Sequence, residues 1–91
     1  MTYTVLVSKT FQRDFQQLSN DVQKQIRSAL KELQNDPYIS RSHCDIKPLK
    51  GTHPTKYRLR AGEYRIIYII EKNEVKLVYL LKREVGYGRL E

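Results

Sequence analysis

Residues 66–70 read Ile-Ile-Tyr-Ile-Ile, a run with no polar face. A strand that is apolar on both sides has to be covered on both sides, so Tyr64 to Ile70 belongs at the centre of a sheet. Turn-like segments bound it, Ala61-Gly62-Glu63 before and Glu71 to Glu74 after. The rest of the chain must supply what flanks and covers this strand. Lys56 to Arg60 and Val75 to Leu81 are the neighbouring strands that the two turns return to it. Upstream, Ile46, Pro48 and Leu49 begin a shorter strand, a polar loop covers 38–45, and Gly51 to Pro54 forms a turn.

The first 35 residues carry a different period. Tyr3 to Val7 is a β-rich run that joins the sheet beside the later strands. Ser8 can cap a helix in which Phe11, Phe15 and Leu18 form an apolar stripe. Ser19-Asn20-Asp21 interrupts it, and Asn20 with Gln23 three residues on has the shape of a capping box for a second helix. Val22, Ile26, Ala29, Leu30 and Leu33 give that helix about four turns with one apolar face. Asp36-Pro37 stops it, because the residue before proline is pushed out of helical geometry. The expected architecture is α+β: an N-terminal strand, an antiparallel two-helix hairpin, then an antiparallel meander forming a twisted sheet with helices on one face. Ninety-one residues are expected to form a single domain, 1–91, with one modest core.

Charge separates the two halves. The chain has 17 Lys and Arg against 10 Asp and Glu, a net +7. Residues 1–45 hold six basic and five acidic residues; residues 46–91 hold eleven and five. The first half is a nearly neutral scaffold and the second carries the field. Such a field attracts nucleic acid, anionic membrane or an acidic protein. A membrane-surface role would favour a basic amphipathic helix, and here the excess cations lie outside the helices. No apolar run reaches the ~20 residues that span a bilayer. The N-terminus lacks the pattern of a signal peptide, and the lone Cys44 fits a reducing cytoplasm.

Strand alternation puts Lys56, Arg58 and Arg60 on one face and Tyr57 and Leu59 on the other, with Arg65 returned close by. Lys47, Lys50, Lys82 and Arg83 extend the basic set, and Tyr87 follows the last strand. Such a cluster grips phosphate well, since the planar guanidinium fork matches its oxygens. The same pattern also fits a solvated sheet face, Tyr87 a tail residue packing its ring, and Lys82-Arg83-Glu84 a salt-bridged strand end. His43, Cys44, Asp45 and His53 match no zinc spacing, so no metal or other cofactor is expected. No phosphate-binding glycine loop and no Ser-His-Asp signature is present. An enzyme built from Arg, Lys and Tyr would suit RNA, which carries its own nucleophile in the 2′-hydroxyl. The protein then has only to orient that hydroxyl, stabilise charge on the phosphorane and help protons move.

Several motifs resemble one family over nearly the whole chain. They are the opening strand with two helices, the Asp36-Pro37 stop, Leu49-Lys50-Gly51, Tyr57-Arg58-Leu59-Arg60, Gly62-Glu63-Tyr64-Arg65-Ile66-Ile67-Tyr68, and Lys82-Arg83-Glu84 with Tyr87. Together they are similar to the RelE toxins of the RelE/ParE superfamily, the ribosome-dependent mRNA interferases of type II toxin–antitoxin systems. The resemblance implies a cytoplasmic endoribonuclease that works without metal, cuts mRNA in the ribosomal A site, contacts mRNA and rRNA, and inhibits translation. It also implies a RelB-like antitoxin that covers or distorts the cationic face in a toxin–antitoxin hetero-oligomer, and no membrane partner. Carried over by position, Arg65 contacts the scissile phosphate, Arg83 acts there or on the leaving oxygen, and Tyr87 stacks on a base or moves a proton. Lys56 and Arg58 fall where well-known bacterial members have two lysines, and Arg60 falls on an arginine; Lys47, Lys50 and Lys82 would contact RNA. Arg58 departs from that pattern. An arginine stabilises charge but cannot shed its proton, which leaves Lys56 or Tyr87 as base.

Two other readings fit the chain, the first without any need for the phosphate-gripping residues. One is a ParE-like gyrase poison on the same fold. The other is a module that binds RNA or antitoxin and cleaves nothing.

Overall fold

The computed structural model describes residues 2–82. The expectations placed on Arg83, Glu84 and Tyr87 lie outside the described residues. The elements run β1 (Thr4–Val7), α1 (Lys9–Gln16), α2 (Asn20–Asn35), β2 (Asp45–Leu49), β3 (Lys56–Ala61), β4 (Tyr64–Glu71) and β5 (Glu74–Lys82). The five strands form one sheet in the order β1-β5-β4-β3-β2. β2 to β5 make an antiparallel meander, and β1 closes it by running parallel to β5. This is the α+β arrangement expected, with β4 third of five strands. Ile66, Ile67 and Tyr68 on β4 are all fully buried, although they alternate faces.

The helices cover one face. Phe11, Ile26 and Leu33 pack against Leu59, Ile66, Tyr68, Val75 and Leu77, with Phe15, Leu18, Val22, Ala29 and Leu30 around them. Ser8 starts α1: its hydroxyl accepts from the Phe11 N–H at 3.0 Å and donates to the Val78 carbonyl at 3.0 Å, tying the helix start to β5. α1 stops at Gln16, earlier than its apolar stripe suggested, and Leu18 still reaches the core.

The start of α2 corrects the expected capping box. Its cap is Ser19, whose oxygen accepts from the Val22 N–H, and not Asn20, which is already helical. Gln23 does not fold back onto the cap. Its amide donates to the carbonyls of Phe15 and Leu18, satisfying the exposed end of α1 and locking the hairpin. At the other end Asp36 is the C-cap in extended geometry, as the following proline requires. Arg41 reaches back from the next loop and donates to the carbonyls of Glu32, Asp36 and Ile39 at 2.8, 3.1 and 2.6 Å. Arg41 thus ties the C-cap and the loop after it to the last turn of α2, sharing the Glu32 carbonyl with the Asp36 N–H.

Two-residue turns join the central strands. Gly62 begins the β3–β4 turn with φ +62°, and a Cβ there would lie 2.7 Å from the Gln25 amide nitrogen. The backbone conformation favours glycine, and the Gln25 side chain would have to swing aside for any other residue. Lys72 holds the equivalent place between β4 and β5 with φ +57°. A side chain in this region is strained by roughly 1–2 kcal/mol, partly offset by the extra chain freedom glycine would lose on folding. Lys72→Gly is expected to stabilise the fold by up to about 1 kcal/mol, read as a rise in the thermal midpoint.

Candidate functional site

The face of the sheet turned away from the helices carries the chemistry. Cross-strand partners share a face, so the registers give its rows directly. One row runs Asp45, Arg60, Arg65, Leu81 across β2, β3, β4 and β5; the next runs Lys47, Arg58, Ile67, Tyr79. Further along, Ile69, Lys76 and Leu6 lie side by side on β4, β5 and β1. The face is divided. Its β2–β3 half with Arg65 is cationic, and its β4–β5–β1 half is mostly apolar. Ile67, at the boundary, is fully buried without belonging to the core beneath the helices.

Arg60 and Arg65 are direct cross-strand partners. Like charges in that position repel and destabilise a hairpin by up to about 1 kcal/mol. The Arg65 guanidinium turns to the end of the hairpin, donating to the carbonyls of Gly62 and Tyr64 at 3.2 and 3.1 Å. Neither arginine has an ion pair with a carboxylate among the described residues. Arg58 differs. Its two terminal nitrogens bind the two oxygens of Asp45 at 3.5 and 3.2 Å, and its side chain is only 12% exposed against 49% for the acid. The fork expected to be free for phosphate is therefore already holding a carboxylate.

The remaining candidates spread out. Lys47 is exposed and directly opposite Arg58. Lys56 shares the face but sits four residues from Arg60 along β3, roughly 13 Å at strand rise, too far to meet the same phosphate oxygen. Lys50 is exposed in the turn after β2. Lys82 pairs with Tyr64, which packs toward the helices, so its register puts it on the opposite side from Arg65 at the end of the sheet. Arg83 and Tyr87 lie outside the described residues. Asp45 was missed as a partner of the cluster and considered only as a metal ligand. Its signal was the hairpin register: counting back from the β3 turn sets Asp45 opposite Arg60, one step diagonally from Arg58.

A cleft of about 480 Å³ opens beside this cluster, between α2 and the ends of β2 and β3. Gln25, Glu32, Arg41, His43, Asp45 and Arg60 are among its lining residues. Cys44, also on its wall, is buried, and burial pushes its thiol above the ordinary value. A thiol in that state is a poor nucleophile.

Comparison with known proteins agrees with this architecture. A family model described as ParE toxin of type II toxin–antitoxin system, parDE, matches residues 5–86. A protein named Toxin RelE from Mycobacterium tuberculosis is 28% identical over 87 residues, covering 93% of this chain and 86% of that protein. The toxin chain in the archaeal RelE–RelB complex from Pyrococcus horikoshii superposes with a TM-score of 0.79 at 28% identity, over 94% of this chain and all of that one. A RelB–RelE antitoxin–toxin complex from Methanococcus jannaschii gives 0.73 at 29% identity, over 94% and 99%. With the sheet order, the helical cover and the family match agreeing over most of its length, the chain belongs to the RelE/ParE toxin family of type II toxin–antitoxin systems.

Proposed function

We propose that this toxin is a ribosome-dependent endoribonuclease that cuts mRNA in the ribosomal A site. The observation that carries the reading is the Arg60–Arg65 pair, two arginines directly opposite on neighbouring strands, neither ion-paired with a carboxylate among the described residues. A fold keeps such a repulsive pair on an exposed face when a polyanion relieves it. In the reaction the ribose 2′-hydroxyl attacks the adjacent phosphorus and the bond to the 5′-oxygen breaks. The products are a 2′,3′-cyclic phosphate and a 5′-hydroxyl. The attacking hydroxyl loses a proton to a base and the departing oxygen gains one. Arg65 and Arg60 hold the phosphorane oxygens, Arg83 assists at the same phosphate, and Lys47 and Lys50 bind the flanking strand; Lys82, on the other side of the sheet, is left without that role. Arg58 contributes charge. Tyr87 is the group left to move protons; Lys56, set too far along β3 from Arg60, binds the strand further on.

Residues 1–91 act as one toxin domain in this reading, in the cytoplasm, with a RelB-like antitoxin as inhibitor. The support for that partner is that the archaeal relatives from Pyrococcus horikoshii and Methanococcus jannaschii were solved as complexes of a RelE with a RelB. Among the described residues no helix is long and apolar enough to cross a membrane. The test is purified toxin with ribosomes carrying a defined codon in the A site. Cleavage should require the ribosome, leave a cyclic phosphate and persist in a metal chelator. Intact mRNA would sink the reading. A second reading is favoured by the parDE description of the matching family: a gyrase poison. Blocked supercoiling with mRNA left whole would select it.

A further inference from the structure

We propose that Asp45 is a positioning residue that restrains Arg58: its carboxylate occupies the guanidinium edge that a phosphate would take, so RNA engages Arg58 only by displacing Asp45. The inference rests on the reading of this face as an RNA-binding surface. Three observations carry it. The contact uses both acid oxygens and both terminal nitrogens, the same two-point fork that binds a phosphate. The direct cross-strand neighbour of Asp45 is Arg60, yet the carboxylate lies diagonally on Arg58, leaving Arg60 and Arg65 uncompensated by any described acid. The pair is also unequal: Arg58 is largely enclosed and Asp45 half exposed. The acid can turn into water at little loss, whereas a guanidinium stripped of its partner needs another anion.

The consequence is a face with two grades of cation. Lys47, Lys56, Arg60 and Arg65 attract a polyanion from a distance. Arg58 and Asp45 together present no net charge until a phosphate arrives at contact range. A ligand unable to displace the carboxylate gains nothing from Arg58, so the pair favours a strand seated closely on the sheet over one passing above it.

The experiment uses the full chain and a single-stranded 2′-O-methyl RNA oligonucleotide, which lacks the nucleophile and is not cut. Binding is measured over a salt series for the unmodified toxin, Asp45→Asn, Arg58→Gln, the double variant, and Asp21→Asn as a helix-side control of equal charge change. Asp45→Asn is expected to bind about 3- to 10-fold more tightly at low salt. Its plot of log affinity against log salt should steepen by roughly 0.7, the increment for one more phosphate contact on a single strand. Neither change should occur in the Arg58→Gln background, and Asp21→Asn should leave the slope alone. A purely structural staple between β2 and β3 would lower the thermal midpoint without moving the slope, and that result overturns the inference. So does a gain that survives in the Arg58→Gln background. No binding by the unmodified toxin at any salt overturns this inference, while the ribosome-dependent reading stands or falls by the cleavage assay. Should Asp45→Asn fail to fold, Asp45→Ser, which also lacks the charge, carries the same expectations.

Discussion

Arg65→Ala is expected to lower single-turnover cleavage of ribosome-bound mRNA by about 100- to 1,000-fold, the range for removing one preorganised donor from a developing oxyanion. The residue sits on the central strand, so its backbone is among the best fixed in the molecule. Its guanidinium rests on two carbonyls at the hairpin end and has no carboxylate to leave before meeting a phosphate. Stability should hardly change, because the substitution removes one exposed and one part-buried hydrogen bond to backbone carbonyls together with a like-charge repulsion against Arg60. Arg65→Lys distinguishes charge from geometry. It keeps the cation and loses the fork, so it should recover part of the rate and not all of it. Equal loss in both variants would assign the effect to bidentate geometry. Full activity in Arg65→Ala would remove this residue from the reaction. Measured at saturating ribosome, the effect should fall on the rate of the chemical step more than on complex formation, since the charge that Arg65 meets is greatest in the transition state.

The fold was legible because its signals are strong and local. Ile66 to Ile70 required a central strand, and the two helix stripes required a common surface. What the chain did not announce were features set by register and by long side chains. Ser19 rather than Asn20 caps α2, because Gln23 is drawn away to the open end of α1. Arg41, in a loop that looked merely polar, closes α2 from five residues away. The site divides in the same manner. Alternation correctly grouped Lys56, Arg58 and Arg60 on one face. Alternation cannot report which cation already has a partner, since that depends on β2 pairing with β3 in one register. A slip of one residue would carry Asp45 to the opposite face and leave Arg58 without its acid. The side assigned to Lys82 is likewise a register property, fixed by its pairing with Tyr64.

The largest loss of stability is expected at Tyr68, and the reason links the core to the site. Its ring is fully buried at the middle of β4 and stacks on Tyr57, with centroids 5.6 Å apart. Tyr57 in turn meets Tyr38 edge-on at 5.9 Å, and Tyr38 meets Tyr3 at 6.4 Å. The Tyr68 hydroxyl donates to the Pro37 carbonyl at 2.8 Å, so the segment that ends α2 hangs from the centre of the sheet. Burial holds the phenol well above its ordinary pKa, so this donor stays protonated across the usable pH range. Tyr68→Phe removes only the donor and leaves a buried carbonyl short of a partner, a loss of about 1–3 kcal/mol. Tyr68→Ala also opens a cavity under α2 and should lose about 3–5 kcal/mol, a large part of the roughly 5–15 kcal/mol that stabilises a domain. Urea denaturation of both variants gives the values directly. If the alanine variant loses no more than the phenylalanine one, the ring contributes little beyond its hydroxyl and this account of the core is wrong. Because the tethered segment leads through Arg41 into β2, Tyr68→Ala should also loosen the register that seats Asp45 against Arg58. Its RNA binding should then shift toward the salt dependence expected of Asp45→Asn, and Tyr68→Phe, which loses the same tether but keeps the ring packing, should shift less.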